Sequence, residues 1–525
     1  MLSTVVKIFI LSVVAAIAVA GCSAGSGGGN APAASGDNTP VNAEIFFWTE
    51  KFSAGTATSA DLSATSHAYS YPVPNLTGDE LKLHIKGDAL FAQHFTEDSL
   101  RPEYGLGPVF NNSSCIGCHN RDGRGSLPSG LSDTSWIKMG NTEALLLKIS
   151  VENEITESHA ANLQNHFGEP AAVPGYSQQL FNSGAYGLRG ETSSDGQAEI
   201  WVKLQKSTFQ YPDGEQVTLS KPIFDLRNPY DLFLDAADGQ QKSRLWQSDV
   251  KVSPRMGMPM YGLGLLESIP EKDILQQAEI DRSSEGVHGT PNLVYDVIKA
   301  KNGDLLPVSL GRFGVKGSAP SVQQQAMGAL NGDVGVTNPL FPIESIFGTK
   351  LFDTYMAQHP TPMKIEVGDD EMNAITFYSQ TLAVPARRDV ENLDVIQGAK
   401  LFSQTSCTSC HTPSWKTDNT ALISAYRNQK IYPYTDLLLH DMGEGLSDGR
   451  KDFKASGQQW KTRALWGLGL TKVVNPRAGF LHDGRALTLE EAILWHDGEA
   501  KYAKDKFAHL AKSDRDLVIR FLQSL

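Results

Sequence analysis

The chain has 525 residues, 40% of them hydrophobic and 20% charged, an ordinary globular balance with length enough for two or more domains. Its 59 acidic and 46 basic residues leave a net charge of −13. That excludes nucleic acid as an expected partner, because polyphosphates select basic faces, but it suits an electron partner that presents a basic patch.

Lys7 precedes an apolar run from Ile8 to Ala20. The run is too short for a stable bilayer-spanning helix and fits the hydrophobic region of a signal peptide, residues 1–21. It ends Val19-Ala20-Gly21-Cys22, which resembles the lipobox of bacterial lipoproteins; Cys22 is then the lipidation site, the alternative being an ordinary signal peptide with Cys22 incidental. A lipid anchor as the sole membrane attachment puts the chain on the periplasmic side of a bacterial membrane. Ser23 after the cysteine resembles outer-membrane sorting. Residues 22–75 read as a tether and N-terminal extension: Gly, Ser, Ala and Pro dominate to about Thr39, and the stretch from Val41 to about Asn75 has no evident role.

Two pentapeptides follow, Cys115-Ile-Gly-Cys118-His119 and Cys407-Thr-Ser-Cys410-His411, and apart from Cys22 they hold all the cysteines. C-x-x-C-H is the attachment signature of a c-type haem. Two thiols reach the vinyl groups on one porphyrin edge, and the next histidine turns under the ring as the proximal ligand. The cofactor expectation is therefore two covalently bound haem c groups. A Cys₄ zinc site, a pair of redox disulfides or inert buried thiols are the alternatives.

An internal repeat supports a two-unit chain. Gly87-Asp-Ala-Leu-Phe91 precedes the first pentapeptide and Gly398-Ala-Lys-Leu-Phe402 the second, each placing a Leu-Phe pair on a short helix. Thr96 to Pro108 is an insertion in the first copy. From about 136 to 270 the pattern turns to short strands, as in Ala144–Val151, Ala198–Val202 and Gln216–Leu219. Helical periodicity resumes from Asp273. Thr488-Leu-Glu-Glu491 is a capping box with Glu491 reaching back to Thr488, and it puts Leu489, Ile493 and His496 on one helical face. An apolar stripe of Leu517, Val518, Phe521, Leu522 and Leu525 predicts a closing helix. The expected fold is mainly α: a first cytochrome c-like domain over 76–384 with a β-containing insertion, and a second over 385–525.

Further stretches make the chain resemble a family. They are Gly105-Leu-Gly-Pro-Val-Phe-Asn111, Arg121-Asp-Gly-Arg-Gly125, Gly262-Leu-Gly-Leu-Leu-Glu267, Gly311-Arg-Phe-Gly314, Leu437-Leu-Leu-His440-Asp-Met-Gly443 and Phe480-Leu-His-Asp-Gly484. They resemble the bacterial di-haem oxidoreductases, also labelled thiol oxidoreductases, relatives of the di-haem cytochrome c peroxidases and of MauG. The resemblance implies an enzyme with two unlike irons. The haem on His119 takes peroxide, and the haem on His411 relays electrons from a small redox protein or small-molecule donor.

The same resemblance assigns roles residue by residue. His496 stands where the relay iron's second ligand is Met in the peroxidases and Tyr in MauG; a hydrogen-bonded core histidine is the alternative. Gln325 and Asp333 fall near the positions of the peroxidases' distal Gln and Glu. Val315 occupies the place of an expected inter-haem Trp, with Phe313 a partial substitute. Arg121, Arg124 and Arg312 are candidates to pair haem propionates. His440 and His482 read as hydrogen-bond partners near the second haem, and Met256, Met258 and Met260 as a packing loop. A non-enzymatic electron carrier with a distal histidine on the first iron (His94, His159, His166 or His288), or a haem protein assisting iron acquisition, are the competing functions.

Overall fold

In the computed structural model, residues 50–59, 65–98, 100–101, 103–151, 168–185, 188–189, 195–304, 307–358 and 364–525 are described here. The signal peptide, Cys22, the tether, His159 and His166 lie outside them. No described helix is long and apolar enough to cross a membrane.

Helix α1 (Gly78–Ala92) starts at Thr77, whose hydroxyl accepts from the Glu80 N–H while the Glu80 carboxylate takes the Thr77 N–H, a complete capping box. The β elements that matter are β1 (Leu145–Val151), β2 (Glu199–Gln210), β3 (Gln216–Arg227) and β4 (Val250–Met256). Strands β1 and β4 are antiparallel partners in register Leu145↔Met256 to Val151↔Val250, and β2 and β3 form a long hairpin. Then come α2 (Val322–Asp333), α3 (Asp369–Thr381), α4 (Leu393–Gln404), α5 (Leu489–Leu494) and α6 (Lys512–Ser524).

The two halves repeat one helix crossing. A Cβ built on Gly87 of α1 would sit 2.1 Å from the Ala374 carbonyl of α3, and one on Gly398 of α4 would sit 2.0 Å from the Leu517 carbonyl of α6. Glycine is required at both because two backbones touch there. One turn later, Phe91 lies 6.0 Å from the His119 ring and Phe402 lies 6.2 Å from the His411 ring, centroid to centroid. In each half the crossing thus delivers an aromatic to the pentapeptide histidine.

The expectation of a mainly α fold is wrong. The chain is 32% helical and 19% strand, with many small sheets. Short ladders are not confined to 136–270: Leu293–Tyr295 pairs with Val308–Leu310, and Leu439–Asp441 with Gln459–Lys461. The physical reason is that long connecting loops bury their backbones around the site, and buried N–H and C=O groups must be paired locally. Nor does the β hairpin belong to the first half alone. Its tip lies on the second: Tyr211 donates to Glu490 at 2.8 Å, the Arg515 guanidinium lies 3.8 Å from the centre of the Tyr211 ring, and Arg515 pairs with Glu215 at 2.6 Å.

The closing helix forms over Lys512–Ser524, with Val518, Phe521, Leu522 and Leu525 buried. Thr488 caps α5 by accepting from the Glu491 N–H at 3.0 Å, but Glu491 reaches the Leu487 N–H instead of that of Thr488. Substituting Gly398→Ala is expected to cost about 1–3 kcal/mol through overpacking. Gly78→Ala, where a new Cβ meets nothing within 4 Å, leaves stability unchanged or raised. Chemical denaturation of the two variants checks the contrast.

Candidate functional site

Both pentapeptides open on one cavity of about 630 Å³, lined by Cys115, Cys118, His119, Cys407, Cys410, His411 and His496 among others. All four cysteines are free thiols. Burial pushes Cys115 up to about 12 and Cys407 up to about 11, and raises Cys118 and Cys410 as well. Such thiols are slow nucleophiles, which disfavours a thiol-redox site. Among the described residues the one cluster with metal-ligand geometry is Cys410, Asp436 and His440, so the four cysteines do not converge.

The histidines share a device. His119 Nδ1 lies 2.6 Å from the Met258 carbonyl, His411 Nδ1 2.9 Å from that of Tyr434, and His496 Nδ1 2.7 Å from that of Ala492. Each ring therefore donates from Nδ1, and no described residue hydrogen-bonds its Nε2. A carbonyl on one nitrogen fixes the tautomer and leaves the other lone pair for a metal. Burial lowers all three pKa values, His411 to about 4, which keeps the rings neutral. His496 sits just past α5, with Leu489, Ala492 and Ile493 on the same cavity wall.

Local backbone explains the first of these bonds. The loop after β4 passes directly over the pentapeptide: a Cβ on Gly257 would come 2.3 Å from the Cys118 carbonyl, and the Gly125 N–H donates to Gly257 at 3.0 Å. Met256, Met258 and Met260 all line the cavity but pack in three different clusters. Met256 is core with the β1–β4 strands, Met260 packs toward Tyr261 and Trp466, and Met258 joins Val315 and Trp460.

The cavity fits a porphyrin with carboxylate arms. The side chains of Lys461 and Arg463 line it with no hydrogen bond or ion pair from any described residue, and burial holds Lys461 well below the lysine range and Arg463 down to about 10. Cations held from water without a partner are costly, and haem propionates would be fitting anions for them. Sequence reading missed both residues, although alternation in Trp460-Lys-Thr-Arg463 would set two cations on one strand face. Of the arginines it chose, Arg121 does not line the cavity. Arg124 does, but donates to the carbonyls of Gly479 and Leu481. Arg312 also does, and donates to those of Leu266, Glu267 and Ile269.

Gln325 and Asp333 both line the cavity from α2, with Gly328 and Ala329 between them. Asp333 is raised by burial and accepts from Gln179 Nε2 at 2.9 Å. Its electrostatic influence reaches Cys115, Cys118 and His119. His94 and His288, by contrast, are exposed and do not line the cavity.

Val315 packs in a cluster with Trp460 and Leu446, flanked by Met258 and Trp495. Trp460 stacks on His482 at 3.7 Å and 12°. An indole thus sits against the residue where the sequence lacks one, contributed from far along the chain. Burial lowers His482 to about 3, whereas His440 is raised, its burial outweighed by Asp436 at 2.8 Å and Glu499 at 2.7 Å. His440 Nδ1 is also 3.5 Å from Cys410 Sγ, beside the second pentapeptide.

The sequence profile described as "Di-haem oxidoreductase, putative peroxidase" matches residues 48–525. No curated protein matches significantly. Among solved structures, hydrazine synthase of Kuenenia stuttgartiensis is similar at 15% identity and a TM-score of 0.22, over 36% of this chain and 65% of that one, just under two thirds of its length. At that level it carries no argument.

Asp122, three residues past His119, gives a pH test. It is 2% exposed, accepts from the Tyr378 hydroxyl at 2.7 Å, and is raised by burial to about 6. The folded state therefore holds this proton more tightly than the unfolded chain, so the contribution of Asp122 falls as pH rises from about 4 to 6. Relative to Asp122→Asn, wild-type stability should drop by about 3 kcal/mol across that window. Urea titrations at pH 4 and 7 measure it, and a flat difference would contradict the assignment.

Proposed function

The chain belongs to the di-haem oxidoreductase family, and on that footing we propose that it is a peroxidase-like di-haem c enzyme reducing peroxide at the His119 site. The observation that carries the reading is the set of three carbonyl-anchored histidines and two free thiol pairs on one cavity wall. In this reading Cys115 and Cys118 attach one haem and Cys407 and Cys410 the other. His119 and His411 are the proximal ligands, and His496 is the second ligand at the His411 site. Haem, when bound, supplies the electrons and the Lewis-acid iron that peroxide cleavage needs.

The chain's own groups do the rest. Burial raises the Asp333 carboxyl above the ordinary aspartate value, which suits it to accept a proton from one peroxide oxygen and pass it to the other, while the Gln325 amide orients the substrate. Gln179 Nε2 fixes the Asp333 carboxyl from behind. Lys461 and Arg463 neutralise propionates. Trp460, packed on Val315, takes the place of the indole expected there and serves in this reading as the medium for electron transfer between the two sites. Two buried cations near its ring, Lys316 at 4.5 Å and Arg255 at 5.3 Å, disfavour a resident positive charge on the indole.

The units are read as cytochrome c-like, lipid-anchored through Cys22 on the periplasmic side of the outer membrane, with a small redox protein or small molecule as electron donor. Globomycin sensitivity of processing and palmitate labelling test the anchor.

Two expectations check the chemistry. Denaturing gels stained for haem should show covalent haem in wild type, reduced in Cys118→Ser and in Cys410→Ser and lost when both pairs are removed; wild-type chain without covalent haem would refute attachment. Asp333→Asn should lower peroxide turnover roughly a hundredfold or more with haem content unchanged. Turnover within a few-fold of wild type would remove Asp333 from the acid–base role.

A further inference from the structure

The extension that opens the described chain, residues 50–59, lies across the seam between the two halves. Thr58 and Ser59 pair in parallel with Val384 and Pro385. The N–H groups of Arg387, Ala386 and Tyr432 donate to the carbonyls of Lys51, Ser59 and Ser53 at 2.8, 3.1 and 2.7 Å. Its first residue goes deepest. Glu50 is fully buried, forms an ion pair with buried Arg387, and accepts the Tyr434 hydroxyl on both carboxylate oxygens at 2.7 and 2.6 Å.

Tyr434 is the residue whose carbonyl takes the His411 Nδ1 proton. It holds that carbonyl from a left-handed backbone, φ 55°, which a bulky non-glycine residue adopts only when its surroundings enforce it. The enforcement is visible. The ring is wedged edge-on between Phe402 and Phe521, at 6.4 and 5.8 Å, and its hydroxyl is tied to Glu50. At the other site the acceptor, Met258, has no positive φ, and among the described residues no extension like 50–59 pairs beside it.

We propose that Glu50 is a positioning residue for His411: through Tyr434, the N-terminal strap sets the strength of the His411 Nδ1–H···O=C bond and so the redox potential of the iron on His411. The inference rests on the reading that His411 ligates haem. A stronger bond from Nδ1 makes the imidazole a better donor and favours the ferric state. The strap thereby lowers the potential of one iron and leaves its neighbour alone, a way to make two sequence-alike sites unlike.

The test uses the full haem-loaded chain and the variants Tyr434→Phe, which keeps the ring packing, and Glu50→Gln, with Lys51→Ala as a control on an exposed strap side chain. Redox titration followed optically, EPR of the ferric protein, haem content and thermal stability are read on each. Tyr434→Phe and Glu50→Gln should raise the potential of the His411 haem, so that at the wild-type midpoint the reduced-to-oxidised ratio rises from one to three or more. Its EPR g-values should move while the His119 haem and Lys51→Ala stay as wild type. A folded Tyr434→Phe chain that loses thermal stability but keeps potential and g-values would overturn the proposal and leave the strap structural. A chain without haem at Cys407 and Cys410 would instead overturn the reading beneath it.

Discussion

An imidazole can offer only one nitrogen to a metal once the other donates its N–H to a carbonyl, and here three imidazoles are committed in that way. The acceptors, Met258, Tyr434 and Ala492, belong to three different pieces of chain. Much of the architecture serves to bring those pieces into place. Gly257 lets one loop ride over Cys118, a left-handed Tyr434 turns a second carbonyl inward, and the last turn of α5 supplies the third. Loops held this closely must find hydrogen bonds for their backbones, which is why small ladders surround the cavity.

The same cavity explains an electrostatic arrangement that would be unfavourable in an empty protein. The Lys461 and Arg463 side chains line the cavity with no ion pair among the described residues, while Asp448 and Asp452 are already shared among Lys316, Arg255 and Arg450. The surplus of buried positive charge makes sense for a site that receives carboxylate-bearing groups. The trimmed pKa values of Lys461 and Arg463 describe the strain that such groups relieve.

Sequence reading found the parts whose chemistry depends on contiguous residues. The pentapeptides, the Gly-x-x-x-Phe pair repeated at 87–91 and 398–402, and the Thr488 cap are all local, and each has a direct physical consequence in the fold. What could not be read is what distant segments do together. Trp460 fills the place beside Val315 from far along the chain, and Glu50 reaches Tyr434 across almost the whole sequence. The mainly α expectation failed for the same reason: helix signals are periodic and local, whereas two- and three-residue ladders leave no pattern of their own. Of the propionate candidates read from sequence, Arg124 and Arg312 line the cavity with part of each guanidinium already engaged by carbonyls.

The central claim is that two attachment sites alike in sequence hold irons that are unlike, one open and one closed by His496. Low-temperature EPR of the purified ferric protein, before and after stoichiometric peroxide, tests it most directly. The account predicts one high-spin signal and one bis-histidine low-spin signal, with peroxide abolishing the high-spin signal first. Two low-spin signals indifferent to peroxide would contradict it and point to an electron carrier, and a protein with no haem signal would contradict the assignment of both sites.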